Sequence, residues 1–384
     1  MASVVIAVNY YTPYVSGLTN VARDVAEGLA DRGHDVIVIA SQHDPSLPLE
    51  EERNGVRVVR CPVRVRLGKG VISPSFIPTV VRLARSADIV NVHAPMLEAG
   101  PIAQRLAAIG VPLIYTYHCD VSLPPSLLGR AQGFAMDVST RAAAHRAFAN
   151  VVSSADYAAH SRVADALAKR QVVIAPGCHL RVGGDPAFRE TEGLHVGFLG
   201  RIVEEKGIEY LVDGFIGLDD PDARLLLAGD FANIAGGSVI DRVRERIGND
   251  DRIRVLGFLP DDALADFYAS LDAFALVSVN AFEAFGIVQV EAMMAGVPAV
   301  SSDLPGVRTP VQETGFGVVV PRRDPSAITA ALASWSERGF DAEQGARAAR
   351  DRYEVDRATD AYEALIRRVV LADPARDQGE TAGA

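Results

Sequence analysis

The chain has 384 residues, 49% of them hydrophobic and 23% charged, with a formal net charge of −11. Its length exceeds what one hydrophobic core usually fills, so two domains are expected, and the acidic balance argues against a nucleic-acid binder. Cys61, Cys119 and Cys178 lack Cys-x-x-Cys spacing, which points away from a disulfide framework or a zinc site and suits a reducing, cytoplasmic compartment.

The N-terminus, Met1-Ala-Ser-Val-Val-Ile-Ala-Val8, lacks a basic leader and turns polar at Asn9, so it reads as a first strand. No apolar run approaches the ~20 residues of a membrane span. Val21, Val25 and Leu29 recur at helical spacing up to Gly33, before a second strand at Val36 to Ala40. This βαβ opening predicts a parallel sheet. The intervening loop, Asn9 to Asn20, is long and ends at a helix start, where Gly17 either lets backbone approach a ligand or is a plain turn glycine. Further strands at Val56–Val59, Ile89–Val92, Leu113–Tyr117, Val151–Ser153 and Val172–Ile174 complete a doubly wound first domain, residues 1–180.

Residues 1–190 carry a net charge of +3 and the remainder −14. Arg57, Arg60, Arg64, Arg66 and Lys69 fall in a stretch from Arg53 that contains no acid. Two readings stand: a solvated face, or a contact with a phosphorylated acceptor or with an anionic membrane surface that would hold the protein at the inner leaflet. His118 follows a strand, at the end of the sheet where open α/β folds bind ligands. It is either a satisfied structural histidine or a ligand group, and Asp120 either caps the next segment or faces an acceptor.

Residues 181–193, with Gly183-Gly184-Asp185-Pro186, read as a linker. The second domain, 194–355, opens with the strand His195–Leu199 and then Gly200-Arg201-Ile-Val-Glu-Glu-Lys206-Gly207. A helix follows whose Ile208, Leu211, Val212 and Phe215 share a face. Arg201 and Lys206 thus sit between a strand end and a helix start, placed either for a diphosphate or for surface pairing with Glu204 and Glu205. Asp220-Pro-Asp222 precedes its strand and reads as a turn. An apolar strand, Ala273–Val277, leads to Glu283-Ala-Phe285-Gly286-Ile287-Val288-Gln-Val-Glu291, in which Gly286 opens a short helix ending near Gly296 and Pro298. Free N–H groups of Gly286 to Val288 could receive an anion there. Glu291 lies on the helix face of Ile287, about 6 Å further along the axis. Residues 356–372 form a last amphipathic helix, and 373–384 read as a disordered tail.

Glu283 and Glu291, taken with Phe285, Gly286, Ala292, Gly296 and Pro298, resemble the E-x7-E signature of the family 4 retaining glycosyltransferases. That resemblance implies the GT-B fold: α/β, two doubly wound Rossmann-like domains facing a central cleft, with the C-terminal helix crossing back to the first domain. The Gly-Arg…Glu-Lys-Gly order at 200–207 matches the family's diphosphate-binding segment, and Gly257-Phe258-Leu259-Pro260 resembles its base-contacting loop. The implied activity is transfer of a hexose-type sugar from a UDP- or GDP-linked donor to a hydroxyl of a glycolipid, cell-surface glycan or small metabolite, with no metal and no cofactor. Arg201, Lys206 and the N–H groups of Gly286, Ile287 and Val288 would hold the diphosphate. Glu283 would hold the sugar, Glu291 the ribose, and His118 the sugar from the other domain. Gly17 falls on the donor side, and Tyr11, Ser16 and Asp120 on the acceptor side.

The chain departs from the family pattern at Ser16-Gly17, where Gly-Gly is usual, at Pro176-Gly177-Cys178, and at Pro305 to Pro310. Two alternatives are a sugar-nucleotide epimerase of the same fold and a catalytically idle nucleotide-sugar-binding module. A pyridoxal-phosphate phosphorylase would need a Schiff-base lysine deep in the second domain, and no lysine follows Lys206.

Overall fold

The computed structural model describes residues 1–67, 70–121, 123, 126–232 and 237–371. Lys69 and the tail 373–384 lie outside the described residues. The chain divides into two compact units: Met1–Gly177 together with the chain from Val355 onward, and Cys178–Glu354.

The strands of the first unit are β1 (Ser3–Ala7), β2 (Asp35–Gln42), β3 (Glu50–Arg53), β4 (Val56–Pro62), β5 (Val65–Leu67), β6 (Gly70–Ile72), β7 (Ile89–Ala94), β8 (Leu113–Tyr117), β9 (Ala149–Val152) and β10 (Gln171–Val173). β5 and β6 form a separate two-stranded sheet, and the main sheet runs β10-β9-β8-β7-β1-β2-β4-β3. Its pairings are parallel except β3 with β4. Parallel strands covered on both faces need continuous apolar runs, which Val4–Ala7 and Val36–Ala40 supply.

The helix Val355–Leu371 belongs to this first unit and buries Tyr362, Leu365, Ile366 and Val369. It runs against the helix Gly17–Asp31 so closely that a Cβ on Gly28 would lie 2.6 Å from Thr359 Oγ1. Arg32 holds the crossing with ion pairs to Asp360 at 2.6 Å, Glu363 at 3.5 Å and Asp356 at 3.6 Å.

The basic stretch is not the free cationic face that its composition suggests. The acids are supplied by β3, which precedes it in sequence, runs antiparallel to β4 and sets Glu52 opposite Arg57 and Glu51 opposite Val58. Arg60 is only 2% exposed; it donates to Glu51 at 2.5 Å and to the Thr12 carbonyl at 2.9 Å, so it cannot face a membrane. Arg57 pairs with Glu50 at 3.0 Å, and Arg66 donates to the His43 carbonyl; Arg64 is exposed. Among the described residues no helix is long and apolar enough to cross a membrane.

The second unit holds β11 (His195–Leu199), β12 (Arg224–Ala228), β13 (Ile253–Gly257), β14 (Ala273–Leu276), β15 (Ala299–Ser302) and β16 (Gly317–Val320). Its sheet order is β13-β12-β11-β14-β15-β16, all parallel. The order reverses between β11 and β14, and such a switch point leaves a crevice at the carboxyl ends of the two strands. Residues 181–193, expected as a linker, are built into this unit. Asp185 N–H donates to Asp266 at 2.9 Å, Phe188 meets the Phe267 ring edge-on at 6.1 Å, and Arg189 pairs with Asp272 at 3.1 Å. The turn Asp220 to Asp222, closed by the Asp222 N–H on Asp220 Oδ1 at 3.0 Å, precedes β12 at the other end of the sheet.

Candidate functional site

The loops after β11 and β14 carry the chemistry of the second unit, and the backbone fixes them to one another. After β11 a short 3-10 turn, Glu204–Lys206, ends at Gly207 with φ 68°, and the helix Ile208–Ile216 begins. Gly207 lies against the end of β14: an added Cβ would meet the Val277 carbonyl at 2.3 Å, and Val279 N–H donates to the Glu205 carbonyl at 2.9 Å. This lock brings Lys206 and Glu283, 77 residues apart, into a direct ion pair with side chains only 15% and 16% exposed. Arg201 is looser, 43% exposed and 3.2 Å from Glu205.

Gly286 adopts φ 84° and starts the helix Ile287–Met294, which no side chain caps. A Cβ there would meet Leu276 Cδ2 at 2.3 Å and Gln289 Nε2 at 2.7 Å, so the position admits only glycine. The uncapped helix start keeps its orphan N–H groups and positive dipole end beside Lys206 and Glu283's loop. Neighbouring strand ends are likewise stripped of side chains. At Gly229, after β12, a Cβ would fall 1.7 Å from the Gly200 carbonyl, so backbone meets backbone.

Glu291 is buried four residues into the helix from Ile287. Burial raises its carboxyl above the ordinary range, while Arg181, His179 and a hydrogen bond from Tyr268 draw it down. Tyr268 donates to Glu291 Oε2 at 3.3 Å, and Arg181 Nε stands 3.7 Å from Oε1. Arg181 also forms a bidentate pair with Asp261, both contacts at 2.7 Å. It therefore ties Glu291 to the loop Gly257-Phe258-Leu259-Pro260, where Gly257 has φ 75° and Phe258 is 74% exposed. Leu259 and Val288 pack partly into the core, whereas Ile287 is half-buried at the helix start. Phe285, expected at the donor, is instead a buried anchor lying edge-on to the Tyr353 ring at 5.5 Å. Arg181 and Tyr268 carry no short-range motif, so the sequence alone gives no sign of them.

In the first unit His118 follows β8. Its Nε2 lies 3.0 Å from Nδ1 of the fully buried His93, whose Nε2 is 3.0 Å from the Asn91 amide nitrogen. Burial pushes His118 down to about 4 and His93 well below its ordinary value, so both are neutral at pH 7.

Of the three residues expected on the acceptor side, Asp120 and Ser16 are engaged in structural hydrogen bonds and Tyr11 is buried. Asp120 is buried, accepting from Tyr117 at 2.6 Å and Ser161 at 2.9 Å, so it holds the strand end together and does not face outward. Tyr11 is buried, with no partner for its hydroxyl among the described residues, and Ser16 caps the helix Gly17–Asp31 by accepting from Thr19 N–H at 3.2 Å. Gly17 does face open space: a Cβ there would meet nothing within 4 Å.

Similarity to known proteins extends over both units. The family model described as "Glycosyl transferases group 1" matches residues 187–352, and "Glycosyl transferase 4-like domain" matches residues 16–177. The chain is 31% identical over 342 residues to 2-deoxystreptamine N-acetyl-D-glucosaminyltransferase of Streptomyces fradiae, covering 79% of this chain and 78% of that one. It is 28% identical to a GDP-mannose-dependent alpha-mannosyltransferase of Mycolicibacterium smegmatis, covering 95% and 98%. Among solved structures, sucrose-phosphate synthase of Thermosynechococcus elongatus superposes with a TM-score of 0.78 at 20% identity, over 97% of this chain and 100% of the other. The chain belongs to glycosyltransferase family 4, has the GT-B fold, and is a hexosyltransferase that draws its sugar from a nucleotide-sugar donor.

Proposed function

We propose that the protein is a retaining, metal-independent transferase that uses a UDP- or GDP-linked hexose and glycosylates a hydroxyl of a small metabolite or glycolipid. The observation that carries this reading is the Lys206–Glu283 pair set beside the uncapped helix start at the β11/β14 switch point. The chemical difficulty of the reaction is charge: the departing diphosphate becomes more negative as the sugar becomes oxocarbenium-like. Fixed cations and N–H groups aimed at the leaving group are usually the largest catalytic term.

Lys206, Arg201 and the N–H groups of Gly286 to Val288 take the diphosphate. Glu283 passes from Lys206 to the sugar hydroxyls, Glu291 takes the ribose, and the loop at Phe258 takes the base. His118 offers the sugar a neutral imidazole. Relatives named for an amino-sugar transfer onto 2-deoxystreptamine and for GDP-mannose support a hexose donor and a polyhydroxylated acceptor. Retention follows the family, with the diphosphate taking the acceptor's proton on the face it leaves.

The test incubates the protein with UDP- and GDP-sugars and a crude acceptor extract and follows nucleotide diphosphate release. An idle binding module would bind without release, and an epimerase would change the sugar with the nucleotide still attached. Release should proceed at an unchanged rate in EDTA, because side chains and backbone supply the positive charge. Loss on chelation, restored by magnesium or manganese, would overturn the metal-independent reading.

A further inference from the structure

β7 is apolar except at Asn91 and His93, two residues apart and therefore on one face of the first sheet. Register pairs His93 with Thr116 on β8, which puts Thr116, and His118 two residues on, on the same face. The helix Val355–Leu371 covers this face with Tyr362, whose ring stacks on His93 at 6.5 Å and whose hydroxyl is 3.2 Å from Thr116 Oγ1. The polar groups form one directed chain. Thr116 donates to Asn91 Oδ1 at 2.9 Å, which turns the Asn91 amide nitrogen toward His93. An amide N–H can only donate, so His93 Nε2 accepts, and its proton must sit on Nδ1. That Nδ1–H then donates to His118 Nε2 at 3.0 Å. By the same rule His118 carries its proton on Nδ1, and no partner for that N–H is seen among the described residues.

We propose that Asn91 and His93 are positioning residues: they fix His118 as the Nδ1–H tautomer and thereby make it a hydrogen-bond donor, not an acceptor, toward the substrate. The functional half of this inference rests on the transferase reading above; the tautomer itself does not. A purely packed core would not need an amide and two imidazoles in series, since each buried polar atom left unpaired is destabilising. The bond made by one ring nitrogen decides which nitrogen of a histidine is protonated, and here that choice is relayed from the interior of β7 to His118, just past the end of β8.

The experiment is long-range 1H–15N NMR of the histidine rings in the full chain without substrate, together with transferase kinetics. In the wild type, His118 Nδ1 should give the protonated-type shift and Nε2 the unprotonated type. Asn91→Asp replaces the donating nitrogen by an accepting oxygen, so His93 must move its proton to Nε2 and His118 must follow. The His118 assignment should invert, and kcat should fall at least about tenfold, as when a histidine's orienting partner is lost, with nucleotide diphosphate affinity within about twofold. His93→Gln keeps a donor and should retain the wild-type tautomer and most of kcat, whereas His93→Leu should lose both. This second pair decides the matter if Asn91→Asp does not fold. A wild-type His118 protonated on Nε2, or a tautomer indifferent to both sets of changes, would overturn the relay. A tautomer that inverts while kcat is unchanged would overturn its use in transfer.

Discussion

Lys206→Ala is expected to lower kcat by at least about a hundredfold, the scale observed when one preorganised group is removed from a developing charge and about 2.7 kcal/mol of barrier. Its ammonium lies at the β11/β14 switch point, held by the Gly207 turn and only 15% exposed, where solvent screens it little. Truncation removes the cation and also leaves Glu283 without its counter-ion beside an incoming diphosphate. Arg201→Ala should act in the same direction but less, because Arg201 is 43% exposed and bound only to its neighbour Glu205. Turnover measured by nucleotide diphosphate release checks both. A Lys206→Ala enzyme near wild-type turnover, or one less impaired than Arg201→Ala, would contradict the diphosphate assignment.

The second large effect separates the two glutamates of the motif. Glu291 is buried between Tyr268 and Arg181, behind the helix start, and faces the loop that carries Phe258. Glu291→Gln should weaken free nucleotide diphosphate and intact donor alike, by roughly 1 to 3 kcal/mol, the cost of a buried polar contact left unpaired. Glu283 instead meets Lys206 in front of the helix. Glu283→Gln should lower kcat while leaving free nucleotide diphosphate affinity unchanged or higher, because it frees Lys206 from a competing anion and loses a contact made to the sugar in the transition state. Calorimetric titration of both variants with the bare nucleotide distinguishes them. Equal losses of affinity would mean that both carboxylates serve the nucleotide.

The two-domain α/β fold was legible in the sequence because parallel strands such as Val4–Ala7 and Leu225–Ala228 are buried on both faces and read as unbroken apolar runs. The strand-loop-helix carrying Glu283, Gly286 and Glu291 was legible for the same reason, with Gly286 marking the turn. What was not legible depends on contacts between residues distant in sequence. Arg60 looked like a surface cation until β3 brought Glu51 across it. Phe285 looked like part of the donor site, yet the fold delivers Tyr353 to its ring. Asp120 could be read as a cap or a ligand group, and Ser161 and Tyr117 converge on it from separate elements. Arg181 sat in a stretch read as linker, with partners 80 and 110 residues away. Only Asn91 and His93 left a local trace, two polar residues at period two within an apolar strand, and that trace marks a buried polar chain.

On the proposed reading the second unit recognises the diphosphate itself, through Lys206 and the helix start at Gly286. Thermal denaturation with UDP, GDP and ADP, each compared with its monophosphate, decides this. At 100 times its dissociation constant a ligand stabilises the fold by about 2.7 kcal/mol. We expect at least one nucleoside diphosphate to raise Tm well beyond its monophosphate, and Lys206→Ala to abolish that difference without lowering the Tm of the free protein. A diphosphate that stabilises no more than its monophosphate, or a difference that survives Lys206→Ala intact, would contradict it.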